Sequence, residues 1–412
     1  MANIKPFAAV RPASDMADKI AALPYDVYNT EEAREVVEKN PKSFLAIDRA
    51  ETAFPPGTDP YNEEIYKKAH HLYVEMKRNK ELIEDESVMY YIYSLTMDGR
   101  TQTGIVATAN VDDYVNGVIK KHENTREAKE IDRINHIKSL SAQTGPIFLA
   151  YRENERITAI VSRTMNMTEP IYDFTADDNV RHRVYKISET KDIIEIVDEF
   201  KNIDSIYIAD GHHRAASAVK VCLEKREGNE DYDLEEYNYF LCVLFPDNEL
   251  MIMDYNRTVK DLNGLSEEEF ISKIKESFDV SPAEDGFKKP TKKGEFGMYL
   301  NDKWYKLNIH PDKVNSEDPV KSLDVSVLQD YLLDPILGIK DPRTDDRIDF
   351  IGGIRGMEEL EKRANTDMKV SFSMYPTSIH ELFNVADAGL LMPPKSTWFE
   401  PKLRSGLFIH EF

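Results

Sequence analysis

The stretch IYIADGHHRAASAVKV, Ile206 to Val221, changes from apolar to polar and then to alanine-rich. The segment Ser205–Ala209, which overlaps the start of this stretch, predicts a short buried strand, and Ala215–Val221 predicts a helix. The five residues between them, Asp210-Gly211-His212-His213-Arg214, must therefore turn a strand into a helix. Gly211 permits a tight turn or the close approach of a ligand to the backbone.

This turn has the chemistry of an anion-binding site. The first N–H groups of a helix have no partner within it, and its N-terminus carries a partial positive charge. Arg214 and the imidazoles of His212 and His213 add donors in the first turn. A metal site is less favoured, because adjacent histidines point in different directions and an arginine repels a cation. A purely structural turn is the remaining alternative.

Composition indicates a globular protein of more than one domain. The chain has 412 residues, which exceeds one ordinary core. Hydrophobic residues make up 41% and charged residues 31%. No apolar run approaches the roughly 20 residues that span a bilayer, and the N-terminus has no apolar signal segment, so we expect a cytoplasmic protein without a membrane partner. The two cysteines exclude a disulfide framework.

The net charge of −22 limits the partners. An acidic surface repels DNA and RNA phosphates, so no nucleic-acid partner is expected. A small anionic ligand is still compatible with a local basic pocket. The oligomeric state stays open, with a homodimer among the alternatives.

Strand-like and helix-like patterns alternate along the chain and predict an α/β protein of mixed α+β character. We expect an N-terminal α/β region, 1–200, and a C-terminal region, 201–412, which interleave. The segment 281–293 is the most linker-like. Hairpins are predicted around Asp98-Gly99, around Pro246-Asp247-Asn248, and between GEFGMYL and KWYKLNIH. The segments RITAIVSR and HRVYKI predict strands.

The turn also carries a resemblance. ADGHHRAASA resembles the phosphate-binding box of the ParB and sulfiredoxin superfamily, a glycine followed by basic residues and a helix. That superfamily includes free-serine kinases, and the resemblance implies a phosphate-binding core with additional mixed-sheet subdomains. The whole chain resembles a bacterial and archaeal family of unknown function, through landmarks spread over its length: PFAAVRP (6–12), LPYDVYNTEEA (23–33), NPKSFL (40–45), KHENT (121–125), GPIFLAY (145–151), IADGHHR (208–214) and MPPKSTWFEPKLRSGL (392–407).

Departures from the superfamily narrow what the resemblance implies. Sulfiredoxins carry a reactive cysteine directly after the glycine, where this chain has His212, so the redox chemistry is not carried over. ParB proteins that partition DNA need a basic face, which the charge of −22 opposes. ParB proteins also have a box resembling Glu123-Asn124-Thr125-Arg126, but it follows the glycine box, whereas here it precedes it.

Further candidate residues come from the landmarks. Lys395-Ser396-Thr397, on a loop stiffened by two prolines, forms a second candidate for binding nucleotide phosphates. Lys402, His122 and Arg11 are candidates for binding the substrate. A solvated or structural role is the alternative for each of them.

The resemblance implies a small-molecule phosphotransferase, and we expect an ATP- or ADP-dependent kinase of free L-serine. Gly211, His212, His213 and Arg214 would hold the phosphates, while Asp210, Glu123 or Asp26 would orient or deprotonate the hydroxyl. Magnesium, with Asp210 as a ligand, would bridge the phosphates. The alternatives are a nucleotide-sensing regulator without turnover and a phosphoserine phosphatase.

Overall fold

The computed structural model describes residues 1–284 and 286–412, which form two compact units. The first comprises Met1–Leu250 and Pro401–Phe412, and the second comprises Met251–Glu400. This division differs from the predicted one at 200/201. The strand 239–246 lies beyond that predicted boundary but pairs with strand 100–110, so both belong to one sheet.

Both units combine strands and helices, which confirms the predicted mixed α/β class. The strands are β1 Ile4–Lys5, β2 Val10–Pro12, β3 Leu82–Glu84, β4 Tyr90–Met97, β5 Arg100–Asn110, β6 Ile119–Lys120, β7 Ala142–Gln143, β8 Ile147–Tyr151, β9 Tyr172–Thr175, β10 Arg181–Ile187, β11 Ile206–Asp210, β12 Tyr239–Pro246, β13 Ile252–Met253, β14 Tyr255–Val259, β15 Phe278–Pro282, β16 Glu295–Leu300, β17 Lys303–Ile309, β18 Ile348–Gly352, β19 Val370–Ser373, β20 Trp398–Phe399 and β21 His410–Glu411. The α-helices are α1 Ala17–Ile20, α2 Thr30–Lys39, α3 Leu45–Asp48, α4 Glu63–Arg78, α5 Val111–Val115, α6 Glu127–Leu140, α7 Glu155–Met167, α8 Thr190–Lys201, α9 His212–Arg226, α10 Glu267–Ile274, α11 Asp324–Leu328, α12 Met357–Thr366 and α13 Ile379–Asp387.

A nine-stranded mixed sheet organises the first unit, in the order β6-β11-β8-β12-β5-β4-β10-β9, with β1 added beside β5. Strand β11 runs parallel to β6 and antiparallel to β8. Ile206 and Ile208 of β11 share a buried core with Ala215 and Ala218 of α9. The strand and the helix that follow each other at the turn are therefore fixed by the same core.

The C-terminal segment 401–412 returns to the first unit. His410 of β21 pairs with Gln143 of β7, and Ile409 forms a bridge with Val10 of β2. Ile409 is fully buried in a second core, built largely from residues of α2, α3 and α4. This return carries Lys402 and Ser405 into the first unit.

The second unit contains a six-stranded antiparallel sheet in the order β15-β17-β16-β19-β14-β18. The predicted hairpin between GEFGMYL and KWYKLNIH is confirmed, because β16 pairs with β17. Part of the predicted linker-like segment 281–293 is structured, since Ser281 and Pro282 belong to β15. Asp285 of that segment lies outside the described residues.

Two local predictions are wrong. RITAIVSR forms part of α7 rather than a strand, because Asn154 caps the helix and Ile157 and Ile160, three positions apart, are both buried on one face. The hairpin around 246–248 does not form, because β12 pairs with β5 and β8 while the chain then enters the second unit.

The hairpin around Asp98-Gly99 is confirmed by β4 and β5. None of the described helices is both long and apolar enough to cross a bilayer.

Candidate functional site

The predicted strand, turn and helix are confirmed, but the turn is shorter than expected. Strand β11 includes Asp210 and α9 begins at His212, so only Gly211 separates them. Gly211 has φ +95°, in the left-handed region that favours glycine. A Cβ atom at this position would lie 3.1 Å from the guanidinium of Arg214. Glycine is therefore required both for the backbone conformation and for the position of that guanidinium.

The backbone at the start of α9 offers uncommitted donors. Gly211 caps the helix without a side chain. Among the described residues, no group accepts a hydrogen bond from the backbone N–H of His212, His213 or Arg214. These are the N–H groups that a helix cannot satisfy internally, and an anion at this position would accept from them.

Two buried histidines lie beside these donors. The rings of His122 and His212 meet edge to face, with 4.5 Å between their centroids. Burial lowers the pKa of His122 to about 4, and burial together with His122 lowers the pKa of His212 well below its usual value, so both are neutral at pH 7. Nδ1 of His122 and Nε2 of His212 are buried without a hydrogen-bond partner in the described part of the chain. Such atoms need a partner, and a bound ligand would supply it.

His213 has a defined tautomer. Its Nε2 accepts a hydrogen bond from the backbone N–H of Arg126 at 2.9 Å, so in the neutral ring Nδ1 carries the proton and can donate. Burial lowers the pKa of His213, and the charge of Asp26 opposes that shift. Glu123 approaches the neighbouring histidine, with 3.8 Å between its Oε2 and Nδ1 of His212. Of the other two predicted carboxylates, Glu123 thus contacts a histidine of the turn, while Asp26 acts on His213 through its charge.

Asp210 is held ionised by neighbouring cations. Its Oδ2 lies 3.2 Å from Nζ of Lys402, and its Oδ1 accepts a hydrogen bond from the N–H of Gly211 at 2.9 Å. Burial opposes ionisation, but the charges of Lys402 and Arg214 outweigh it and hold the pKa of Asp210 well below its usual range. A carboxylate with so low a pKa is a weak proton acceptor and a stable negative charge.

Arg214 differs from most arginines of the first unit, because it lacks a close carboxylate. Its Nη1 donates to the carbonyl of Pro146 at 2.5 Å. No carboxylate oxygen of the described residues lies within 4.0 Å of its guanidinium. Its remaining N–H donors are therefore available to an anion, in the planar fork that matches phosphate or carboxylate oxygens.

A magnesium ion fits this site only in part. Magnesium is usually held by one or two carboxylates together with phosphate oxygens and water. Asp210 is one such carboxylate, although Lys402 and the N–H of Gly211 already contact its oxygens. The described residues contain no group of three or more His, Cys, Asp or Glu that could hold a metal. Asp210 would thus be one ligand beside those of a bound phosphate.

Arg11 does not join the residues at the turn. Its Nε and Nη2 donate to the two carboxylate oxygens of Asp85 at 2.7 and 2.8 Å, and its Nη1 donates to the hydroxyl of Tyr172 at 2.8 Å. Asp85 also accepts from Lys186 and Tyr91. The fork of Arg11 is therefore occupied inside the protein, in place of the predicted contact with substrate.

The loop Lys395-Ser396-Thr397 belongs to the second unit. Ser396 is buried, and its hydroxyl donates to the carbonyl of Pro393 at 2.7 Å, within the same turn. The carbonyl of Lys395 accepts a hydrogen bond from Arg257 at 3.0 Å. The predicted hydroxyl donor of Ser396 is thus committed to the loop itself.

Sequence analysis missed a group of polar residues around a cavity beside Arg214. Asp48, Thr144 and Ser405 line this cavity together with Arg214. The sequence held one weak signal, a single carboxylate at Asp48 that ends the apolar run FLAI. Residues 70 to 357 positions apart in the chain line this cavity, and such proximity cannot be predicted from sequence spacing.

Comparison with known proteins gives distant structural likenesses. A free serine kinase in complex with AMP is 13% identical, with a TM-score of 0.35 over 73% of this chain and 91% of that one. SbnI from Staphylococcus aureus, truncated at its C-terminus, is 10% identical, with a TM-score of 0.36 over 73% and 87%. A conserved hypothetical protein from Pyrococcus furiosus is 16% identical, with a TM-score of 0.33 over 74% and 94%. No curated protein matches the chain. Residues 4–326 match the profile of one family, so the chain belongs to the family described as a protein of unknown function, DUF1015.

Proposed function

We propose that the protein is a nucleotide-dependent phosphotransferase that phosphorylates free L-serine to O-phosphoserine. One observation carries the proposal: unpartnered N–H groups at the start of α9 lie beside Arg214, which has no close carboxylate among the described residues. Helix N-termini with an adjacent arginine are suited to phosphate oxygens. The likeness of the ADGHHR turn to a phosphate-binding box supports the same ligand.

Each residue at the turn has a role in this proposal. Gly211 lets the phosphates approach the backbone, and the N–H groups of His212, His213 and Arg214 hold them. The proton on Nδ1 of His213 is a further donor. Lys402 balances the charge of Asp210 and contributes positive charge near the phosphates. ATP or ADP is the donor in this proposal, and Asp210 would be a protein ligand of a magnesium ion that would supply positive charge to the phosphates.

The transfer forms one bond and breaks one. The serine hydroxyl oxygen attacks the terminal phosphorus, the new O–P bond forms, and the bond from phosphorus to the bridging oxygen of the nucleotide breaks. The hydroxyl proton passes to a carboxylate. The low pKa of Asp210 makes it a weak proton acceptor, so in this proposal Glu123 or Asp26 takes the proton. Most of the catalysis then comes from positioning and charge.

Phosphorus NMR of purified protein with magnesium, ATP or ADP, and L-serine tests the proposal. O-phosphoserine should appear, and Arg214→Gln should reduce its rate strongly. Arg226→Gln, which removes the same charge at the other end of α9, is the matched control. Comparing Glu123→Gln with Asp26→Asn identifies the proton acceptor, since only loss of the acceptor lowers kcat at unchanged KM.

The other outcomes identify the alternatives. Tight, magnesium-dependent nucleotide binding without any phosphorylated amino acid over hours would replace the kinase by a nucleotide-sensing regulator. Release of inorganic phosphate from phosphoserine without nucleotide would replace it by a phosphatase. Salt-sensitive binding of duplex DNA is not expected from a chain with a net charge of −22.

A further inference from the structure

A small polar cavity lies next to Arg214 in the first unit. Its volume is about 30 Å³. The wall combines residues from the end of α3, from α6, from the connection between β7 and β8, from the first turn of α9 and from the C-terminal segment. The polar and charged residues of the wall used below are Asp48, Arg133, His136, Thr144, Arg214 and Ser405.

The cavity holds a buried carboxylate, Asp48, that forms no ion pair with a lysine or an arginine among the described residues. Asp48 is 5% exposed, and its Oδ1 accepts a hydrogen bond from the hydroxyl of Thr144 at 3.0 Å. The basic group within 4.0 Å is His136, whose Nε2 lies 3.6 Å from Oδ1. Burial, reinforced by the charge of Arg133, lowers the pKa of His136, so the ring is neutral at pH 7.

Arg133 does not neutralise Asp48 directly, because it is already paired. Its guanidinium binds Asp132, with 2.8 Å between Nη2 and Oδ2, and stacks 4.0 Å from the ring centroid of Tyr25. Its contact with Asp48 is a hydrogen bond of 3.5 Å to the backbone carbonyl. The carboxylate of Asp48 therefore lines the cavity with His136 and the hydroxyl of Thr144 beside it.

On the same wall Arg214 presents a cation without a carboxylate within 4.0 Å in the described part of the chain. Ser405, which is 3% exposed, lines the same cavity. A carboxylate and a guanidinium that line one cavity are complementary to a ligand that carries both an ammonium group and a carboxylate.

We propose that this cavity binds a small free α-amino acid, with its ammonium group at Asp48 and its carboxylate at Arg214. The hydroxyls of Thr144 and Ser405 line the space for its side chain. The proposal rests on the proposed function, since it places the phosphoryl acceptor beside the phosphates that the same arginine holds. Asp48, Thr144 and Ser405 would then determine specificity.

The volume limits the ligand. A water molecule needs roughly 10–15 Å³ of cavity measured in this way and represents about 30 Å³ of liquid. The cavity of about 30 Å³ holds two to three waters, so among α-amino acids it favours the smallest ones. Leucine and phenylalanine are too large for it.

Isothermal titration calorimetry of the full-length protein with defined ligands tests the proposal without relying on a variant. L-serine, glycine and L-alanine should bind. Ethanolamine, which lacks the carboxylate, and 3-hydroxypropionate, which lacks the ammonium group, should each bind about 10- to 150-fold more weakly than serine. Leucine should give no signal. Equal affinity for serine and both analogues, or no binding of any of the three small amino acids at millimolar concentration, would overturn the proposal.

Variants separate this proposal from the proposed function. Asp48→Asn and Thr144→Val should weaken serine binding while ADP binding is kept, and Thr164→Val, a buried threonine of α7 outside the cavity, should change neither. Serine binding without phosphoserine formation would leave the cavity assignment standing and remove the kinase. If Asp48→Asn forms phosphoserine with the wild-type KM for serine, the kinase stands and the cavity assignment is removed.

Discussion

Arg11 and Arg214 both lie in sequence landmarks of the first unit, but they differ in the residues that surround their guanidinium groups. Arg11 is buried and meets Asp85 through two hydrogen bonds, in a network with Lys186, Tyr91 and Tyr172. Arg214 meets only the carbonyl of Pro146 among the described residues, beside helix N–H groups and a polar cavity. The first guanidinium is satisfied within the protein, whereas the second still has donors to offer.

The difference shows that unmet hydrogen-bonding capacity marks a candidate site better than residue type does. Both positions are arginines in sequence landmarks, and both were predicted to bind ligands. Beside the turn that carries Arg214, Nδ1 of His122 and Nε2 of His212 are buried without a partner in the described part of the chain. The comparison predicts that changes around Arg11 mainly affect stability, while changes around Arg214 mainly affect binding.

The largest effect on stability is expected for Arg11→Ala. Removing one partner of a buried ion pair leaves the other charge uncompensated, at a cost of about 3–5 kcal/mol, and Lys186 should keep the loss near the lower end. Urea denaturation measures the change. Arg181→Ala, which breaks the exposed pair with Asp173, should cost less than about 1 kcal/mol. Equal losses of unfolding free energy in the two variants would contradict the view that the buried network of Arg11 stabilises the fold.

Acid should weaken the region around Arg214. The unfolded chain protonates His122 near pH 6.5, while the folded protein keeps this ring neutral until its pKa of about 4. Stability is therefore lost as pH falls from 6.5 to 4, by about 3 kcal/mol from this residue. The free energy of unfolding should fall less steeply with acid in His122→Gln. The exposed control His71→Gln should keep the wild-type slope, and an unchanged slope in both variants would count against the buried neutral histidine.

A smaller effect is expected for Gly211→Ala. An L-residue in the left-handed region costs about 1–2 kcal/mol, and the new Cβ atom would press on the guanidinium of Arg214 at 3.1 Å. Gly57 has φ +85° with nothing within 4 Å of an added Cβ, so Gly57→Ala is the matched control. Both variants should lose similar stability in urea, and only Gly211→Ala should also weaken ADP binding by calorimetry. Equal ADP affinity in the two variants would show that Gly211 has no role in binding the nucleotide.

The smallest effect on stability is expected for Arg214→Gln. It removes the hydrogen bond to the carbonyl of Pro146 and one of the charges that hold Asp210 ionised, so the unfolding free energy should fall by about 1 kcal/mol. Calorimetry should nevertheless show that ADP binding is lost. A loss of stability as large as that of Arg11→Ala, with ADP binding kept, would assign Arg214 a structural role in place of a binding role.

Local patterns predicted the turn because its determinants are adjacent in the chain. The apolar run, Gly211 and the alanine-rich run follow one another directly, so strand, turn and helix could be placed from the sequence. The same approach failed at RITAIVSR, where β-branched residues suggested a strand. The burial of Ile157 and Ile160 on one helical face outweighed that preference.

The candidate site could be predicted only in part, because much of it is assembled over long distances in the chain. Asp210, His213 and Arg214 come from one motif. Asp48 and Ser405 reach the cavity from α3 and the C-terminal segment, and their burial gives no signal in sequence spacing. The ion pair of Arg11 with Asp85 could not be predicted from the sequence either, since Asp85 lies 74 positions away.

The return of the C-terminal segment has a consequence for the protein during its synthesis. The second unit, residues 251–400, is translated between Leu250 and the segment 401–412 that completes the first unit. At about 5–20 residues per second, these 150 residues occupy roughly 8–30 s on the ribosome. Throughout that interval the nascent first unit has Asp210 without Lys402 and a cavity without Ser405, so the candidate site is completed only when the last segment has been made.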